Sequence, residues 1–323
     1  MQIYKFNSIL KPVLWGGDRL MTFKGLPPRD EAIGESWELS AMENHESVVA
    51  NGDDHGLTLS QLVARYGADL VGEDVYRRYG MQFPLLIKLI DARRDLSLQV
   101  HPGDEMARRH GCAGKTEMWY ILDAGEGSVI RTGFSRAITA EEFDRRLTDG
   151  SILDVVNASP SHEGDVFYIP AGQIHTIGAG NLLVEIQQSS DVTYRVWDYN
   201  RRDADGNLRQ LHIDEAREAL DFAPRNGYVD ALPEASHGVT PLLRCPEFEV
   251  CRLDVDAGLT LALPQPHSFV ALVCTRGETT LQVERMPAVT LKQGETALVP
   301  ATADVIEMTG SAQLLTASVP VED

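Results

Sequence analysis

The segment Gly164-Asp165-Val166-Phe167-Tyr168-Ile169-Pro170-Ala171 returns late in the chain as Gly294-Glu295-Thr296-Ala297-Leu298-Val299-Pro300-Ala301. Each copy opens on glycine and a carboxylate, runs through four strand-forming residues, and stops at proline. A short apolar run between two turn signals predicts a strand in a sheet of many short strands. Its recurrence predicts two such β units. The first copy continues Gly172-Gln173-Ile174-His175, and the second continues Thr302-Ala303-Asp304-Val305. One unit therefore offers a histidine after its turn, and the other offers none.

The rest of the chain fits a mainly β protein. Strands are expected at Ser47–Ala50, Leu85–Ile90, Leu96–Val100, Met118–Leu122, Leu182–Gln187 and Thr193–Trp197. Further strands are expected at Phe248–Leu253, Phe269–Thr275, Thr279–Val283 and Gln313–Ala317. Helices interrupt them at Leu59–Tyr66, Asp104–His110 and Asp214–Leu220, and from Thr139 toward Leu147, with Thr139 as cap and Glu142 in the capping-box position. The stretch from Asp221 to about Gly238 carries Pro224, Gly227 and Pro233 and reads as a linker. A chain of 323 residues exceeds one typical domain. The expected division is a larger unit with helical insertions over 1–225 and a smaller β-barrel over 226–323 without metal ligands.

A net charge of −19 repels nucleic acid and anionic membranes over most of the surface. An anionic substrate would need cations gathered locally. The opening residues do not form a secretory signal, and runs such as Phe83–Ile87 are too short to span a bilayer. The cysteines Cys112, Cys245, Cys251 and Cys274 form no C-x-x-C pair and are expected as reduced, small apolar residues. A cytoplasmic protein, monomer or homodimer, is expected.

Gln99-Val100-His101 puts two potential ligands on one face of a strand. Lys115-Thr116-Glu117 puts a lysine beside a carboxylate in the same way. Together with His175, these residues make a four-ligand set of two imidazoles, one carboxylate and one amide. The set suits one divalent ion per chain, zinc foremost. A single carboxylate leaves such an ion positive, as a Lewis acid needs to be. His45, His55, His110, His162, His212, His237 and His267 are read as ordinary surface or core histidines.

Gly164-x5-Pro170-x-Gly172-x2-His175 resembles the second motif of the cupin superfamily, although Ala179 stands where an asparagine is usual and Asn181 follows. Gln99-Val100-His101-Pro102 and Gly114-Lys115-Thr116-Glu117-Met118-Trp119-Tyr120 are similar to the type I mannose-6-phosphate isomerases, in their short bacterial form. So are Trp15-Gly16-Gly17, Gly34–Glu38, Phe83–Lys88, Glu185–Asp191 and Tyr194-Arg195-Val196. The resemblance runs from about Tyr4 to Leu220. It implies a metal-binding cupin jelly-roll barrel followed by a cupin-like barrel without ligands, with zinc on Gln99, His101, Glu117 and His175. It implies further site positions at Trp15, Glu35, Lys88, Ser97, Lys115, Glu185, Asp191 and Arg195, with Arg201 or Arg202 near another basic position.

The implied activity interconverts mannose 6-phosphate and fructose 6-phosphate through an enediol. Arg195, Lys88 and Ser97 would meet the phosphate, with an Arg195–Asp191 ion pair as the rival use of that arginine. Glu185 is the preferred base. Asp191 is an alternative, as are Lys88 and Lys115 if their pKa is depressed. Trp15 would touch substrate, and Trp37 would be core. A cupin dioxygenase using His101, His175 and Glu117, or a non-catalytic sugar-binding cupin, are the competing readings.

Overall fold

Leu85–Ala92 and Asn181–Gln188 are buried along nearly their whole length and pair side by side in the middle of a six-stranded antiparallel sheet. The computed structural model describes residues 1–202, 205–264 and 267–320 and is mainly β. The order of the six-stranded sheet is Val166–Ile169, Glu117–Ala124, Asn181–Gln188, Leu85–Ala92, Ile9–Gly17 and Ile33–Leu39, with the last strand also pairing to Leu85–Ala92. A five-stranded sheet runs Val156–Pro160, Val129–Phe134, His175–Ile177, Leu98–Val100 and Tyr194–Trp197. The third sheet has eight strands, six from the C-terminal part together with Tyr4–Asn7 and Val48–Val49.

The period of two along a strand explains the stacking. Leu183, Ile90, Trp119 and Phe167 point to one face of the six-stranded sheet and meet Ile130 and Ile177 of the five-stranded sheet. The alternate residues Leu85, Ile87, Leu89, Val184 and Ile186 point the other way. They meet Val250, Ala271, Val273, Leu298 and Leu315 of the eight-stranded sheet and the helices Leu59–Tyr66 and Glu73–Tyr79. The six-stranded sheet is thus a middle layer with two dry faces. Each fully buried aliphatic or phenyl side chain contributes roughly 1.5–3 kcal/mol. The third sheet carries its own core, including Leu253, Leu272, Leu291, Ile306 and Leu314.

Local signals account for most elements. The helix Leu59–Tyr66 opens on a capping box between Thr58 and Gln61. Thr139 caps Ala140–Asp149 by accepting from the Glu142 backbone N–H. The Glu142 side chain does not return to the cap; it is taken by Arg136 and Arg146. The expected strands Phe269–Thr275 and Thr279–Val283 are one strand, Val270–Val283, with a register shift between Cys274 and Arg276. The exposed Arg276-Gly277-Glu278 stretch looks like a turn in sequence, but the long neighbour Val305–Ser318 supplies its pairing. No disulfide links the four cysteines. Among the described residues, no helix is long and apolar enough to cross a membrane.

Several long-range connections join the ends of the chain. Tyr4–Asn7 pairs with Thr296–Val299 and so belongs to the eight-stranded sheet. Lys24 Nζ lies 2.7 Å from Glu38 Oε1 with both side chains buried, and it also donates to the Gly294 carbonyl. Ser8 and Ser36 donate to the same carboxylate. Removing one partner of a buried pair strands the other charge, at about 3–5 kcal/mol. Lys24→Met is expected to lose that much in urea unfolding, and adding Glu38→Gln should recover more than half. A single-variant loss below about 1 kcal/mol would show that the buried pair adds little to stability.

Candidate active site

The space between the five- and six-stranded sheets has an apolar floor and a polar head. Register places the head residues. Gln99 pairs with His175 on one side and Arg195 on the other, and directly paired residues project to the same face. Glu117 starts the opposing strand and pairs with Gln187. His101 follows the Leu98–Val100 strand, and its carbonyl accepts from the Gly172 N–H at 2.9 Å, which fastens it to the Pro170–Gly172 turn. Asn181 stands two residues beyond the usual asparagine position. It accepts from Ser161 and donates to the Gly178 and Val129 carbonyls, so it pins the loop after His175.

His101, Glu117 and His175 are fully buried, and ligand atoms of all three lie within 4.8 Å of one another. His101 Nε2 is 3.1 Å from His175 Nε2 and 3.2 Å from Glu117 Oε1; His175 Nε2 is 3.7 Å from Glu117 Oε2. The Gln99 amide reaches to 3.3 Å of His175 Nε2. Its oxygen and nitrogen exchange by a simple turn of the amide. Ligands about 2.0–2.2 Å from a tetrahedral ion stand roughly 3.3–3.6 Å apart, so the spacing fits one. His175 Nδ1–H donates to the Gln173 carbonyl at 2.8 Å, which directs the Nε2 lone pair inward. Both Glu117 oxygens and His101 Nδ1 lack a hydrogen bond, although Lys115 Nζ stands 2.6 Å from Glu117 Oε1. The two Glu117 oxygens, facing the inward Nε2 atoms of His101 and His175, are buried acceptors that suit a cation.

Protonation follows burial. Loss of water, then the Lys115 charge, pushes the His101 imidazole down to about 3. Burial lowers His175 as well. Burial works against the Glu117 carboxylate, but Lys115 and His101 hold its pKa well below the usual range. Neutral imidazoles beside an ionised carboxylate are the metal-binding forms.

Next to these ligands, Lys88 Nζ donates to Glu185 Oε1 and Gln187 Oε1, each at 2.8 Å, and Trp119 Nε1 donates to Glu185 Oε2 at 2.9 Å. Burial disfavours the Lys88 ammonium, but Glu185 and Glu35 outweigh it and raise its pKa above the ordinary lysine value. A depressed pKa, on which a lysine base at 88 depended, is therefore absent. Ser97 is buried and donates to Gln99 Oε1 at 3.3 Å. Glu35 accepts from Trp37 Nε1 at 2.7 Å. Trp37 is buried, but its ring receives Lys11 and Lys88 and so borders the polar head. Trp15 lies in the apolar floor with Ile90 and Trp119.

Asp191 is exposed, and among the described residues Arg195 has no carboxylate partner. The rival Asp191–Arg195 pair does not form, because Asp191 precedes the strand that carries the arginine inward. Arg195 donates to the Gln210 carbonyl at 2.9 Å, and its Nε is buried without a partner. Burial, then the Arg209 charge, lowers its pKa, with Arg201 adding to the effect and Asp198 opposing it. Arg201 and Arg209 both pair with Asp198, and Arg202 is exposed. Sequence reading missed Gln187, Lys11 and Arg209. The alternation Glu185-x-Gln187 was a usable signal for the first. A groove of about 660 Å³ near Met42, Met81, Phe83 and Cys112 holds none of these groups.

A buried His-Glu-His cluster between two sheets, bordered by lysine side chains, is a group that could hold a metal ion on a β scaffold. Residues 3–132 match the type I phosphomannose isomerase catalytic domain. The chain is 36% identical over 280 residues to the mannose-6-phosphate isomerase ManA of Bacillus subtilis, covering 83% of this chain and 84% of that protein. It is 34% identical to the mannose-6-phosphate isomerase of Streptococcus mutans, covering 96% of both. The solved mannose 6-phosphate isomerase from Bacillus subtilis superposes with a TM-score of 0.88 at 32% identity, covering 98% of this chain and 99% of that one. A phosphomannose isomerase variant from Salmonella typhimurium, 16% identical with a TM-score of 0.82 over 99% of this chain and all of that one, shares the fold. The chain belongs to the type I phosphomannose isomerase family.

The buried imidazole sets a pH dependence. Folded His101 stays neutral down to about 3, while the unfolded residue takes a proton near 6.5, so the unfolded chain binds more protons in between. Stability therefore falls as pH drops from 6.5 toward 3. In chelator-treated protein, His101→Gln should flatten that fall. Equal slopes in both proteins would mean that His101 is not held neutral. Zinc should raise the melting temperature of the treated wild type but not of His101→Gln.

Proposed function

We propose that this chain is a zinc-dependent aldose–ketose isomerase that interconverts mannose 6-phosphate and fructose 6-phosphate through an enediol. The observation that carries this reading is the four-donor cluster with the buried Lys88 and Lys115 ammoniums beside it, in a protein of net charge −19. Gln99, His101, Glu117 and His175 would hold the ion. Zinc is favoured by the mix of neutral nitrogen donors with one carboxylate. When bound, the ion supplies a Lewis acid for an aldose carbonyl.

The chain's own groups do the rest. Glu185 is the proposed base, carrying the proton from C2 to C1. Its carboxylate is fixed by Lys88 and Trp119, and each oxygen keeps a further lone pair for a substrate proton. Asp191, exposed, lacks that fixation. Lys88, held charged by Glu185 and Glu35, offsets the negative charge that develops on the enediol oxygens, and Lys115 stands beside Glu117 at the same head. Arg195, with Ser97 and Arg201, takes the phosphate through a planar fork and a hydroxyl. Glu35 and Trp15 shape the sugar's surroundings. Sheet closure on both sides excludes water from the reacting carbons. In this reading residues 1–225 form a catalytic cupin barrel that lends the strands Tyr4–Asn7 and Val48–Val49 to the other unit. Residues 226–323 form a second barrel without ligands.

A dioxygenase would use the same His101, Glu117 and His175 but leaves the two lysines without a role, and a silent sugar-binding cupin leaves Glu185 without one. A coupled assay should show mannose 6-phosphate turnover that chelator abolishes and zinc restores; turnover indifferent to chelator sinks the metal role. Glu185→Gln should cut exchange of the C2 proton with solvent by about 10²–10⁴-fold with metal content unchanged. Exchange near the wild-type rate removes Glu185 as the base.

A further inference from the structure

Lys11 is a half-buried ammonium with no hydrogen bond and no ion pair among the described residues. That sets it apart from the other inward cations, since even Arg195, which has no carboxylate partner, donates to the Gln210 carbonyl. Lys88 has Glu185, Lys115 has Glu117, Lys24 has Glu38 and Arg19 has Asp91. The contact described for Lys11 is the Trp37 ring, whose centroid lies 3.4 Å from Nζ; the same ring lies 5.2 Å from Lys88 Nζ. Glu35 is its register partner but is turned to the Trp37 indole N–H. Burial, with the Lys88 charge adding to it, works against the Lys11 ammonium, while Glu35 and Asp191 support it from a distance. A cation kept in such a place lacks the anion that would balance it.

Topology says where that anion would come from. Four of the five strands of the five-stranded sheet are each joined to a strand in the matching place of the six-stranded one: Val156–Pro160 to Val166–Ile169, Val129–Phe134 to Glu117–Ala124, His175–Ile177 to Asn181–Gln188, and Leu98–Val100 to Leu85–Ala92. The remaining places match Tyr194–Trp197, bearing Arg195, with Ile9–Gly17 and Ile33–Leu39, bearing Lys11 and Glu35. Arg195 and Lys11 thus stand at one edge of the polar head. The influence of Asp191, just before the Arg195 strand, on Lys11 agrees with this. At Lys11 the sheet runs from Glu117–Ala124 through Asn181–Gln188, Leu85–Ala92 and Ile33–Leu39 to the Lys11 strand, four spacings or roughly 19 Å at about 4.8 Å per strand. An anion at that edge belongs to the end of a substrate farthest from its reacting carbons.

We propose that Lys11, seated on Trp37, is a substrate-binding residue that grips the phosphate of a sugar phosphate from the side opposite Arg195. The inference rests on the isomerase reading and adds to it a second wall of the phosphate site and a discrimination between phosphorylated and free sugars.

The test uses the zinc-loaded full chain. Lys11→Met keeps the stem that lies on Trp37 and removes the charge. It should raise KM for mannose 6-phosphate about 10–100-fold with kcat within about threefold. The inhibition constant of inorganic phosphate should rise in parallel, and Lys11→Arg should restore both. An unchanged KM and phosphate inhibition, or a fall in kcat alone, would overturn the proposal and leave Lys11 as packing for Trp37. Protection against thermal unfolding by inorganic phosphate is measured alongside. If wild type turns over no mannose 6-phosphate, the isomerase reading fails, and the Lys11 site still stands or falls on whether phosphate protects wild type and not Lys11→Met.

Discussion

The six-stranded sheet is dry on both faces, and the rest of the structure depends on that. One face is pressed against the C-terminal sheet and the helices; the other closes on the five-stranded sheet. A charged side chain on such a layer has no bulk water to turn to. Lys88, Glu185, Asp91 and Glu117 are all nearly unexposed. Each has a named partner in Glu185, Lys88, Arg19 or Lys115. Pairs of this kind gain little net stability against an apolar replacement, because desolvation cancels much of the attraction. Their presence in the middle layer is better explained by chemistry than by folding.

The same burial makes the site's electrostatics strong. In low dielectric, a fixed ammonium acts on a neighbouring carboxylate far more than it would in water. That is why Glu117 stays ionised between two neutral imidazoles, and why Lys88 stays charged against the cost of burial. The apolar floor of Trp15, Ile90 and Trp119 fixes the rotamers above it, and Trp119 adds a hydrogen bond to Glu185 from within that floor. Floor and head are alternate residues of the same few strands, so geometry in one is inherited from packing in the other.

Much of the site was legible in order along the chain. The spacing Gln99-x-His101, the Lys115-x-Glu117 pair and the turn before His175 each carry their own local geometry, and the structure brings the three segments together. The capping box at Thr58–Gln61 and the strand Val166–Ile169 were legible for the same reason. What local signals could not carry was partnership between distant segments. Trp37 reads as core and is buried, yet it is the platform for two lysines. Lys11 carries no local signal of its own, and its place on the Trp37 ring comes from register between two strands. Val270–Val283 reads as two strands because its exposed middle looks like a turn until the neighbouring long strand is in place.

The sequence by itself determined the residue types, their alternation and the turns: which side chains can bind a cation, which faces are apolar, and where strands stop. Those follow from the chemistry of a few neighbouring residues. Only the tertiary structure decided that Tyr4–Asn7 completes a sheet made by the far end of the chain, that Asp191 stays in solvent while Arg195 turns in, and that Glu185 is claimed by Lys88 and Trp119. Those are outcomes of register between segments far apart in sequence. A one-residue shift in any of these pairings would have turned the same side chains to the other face.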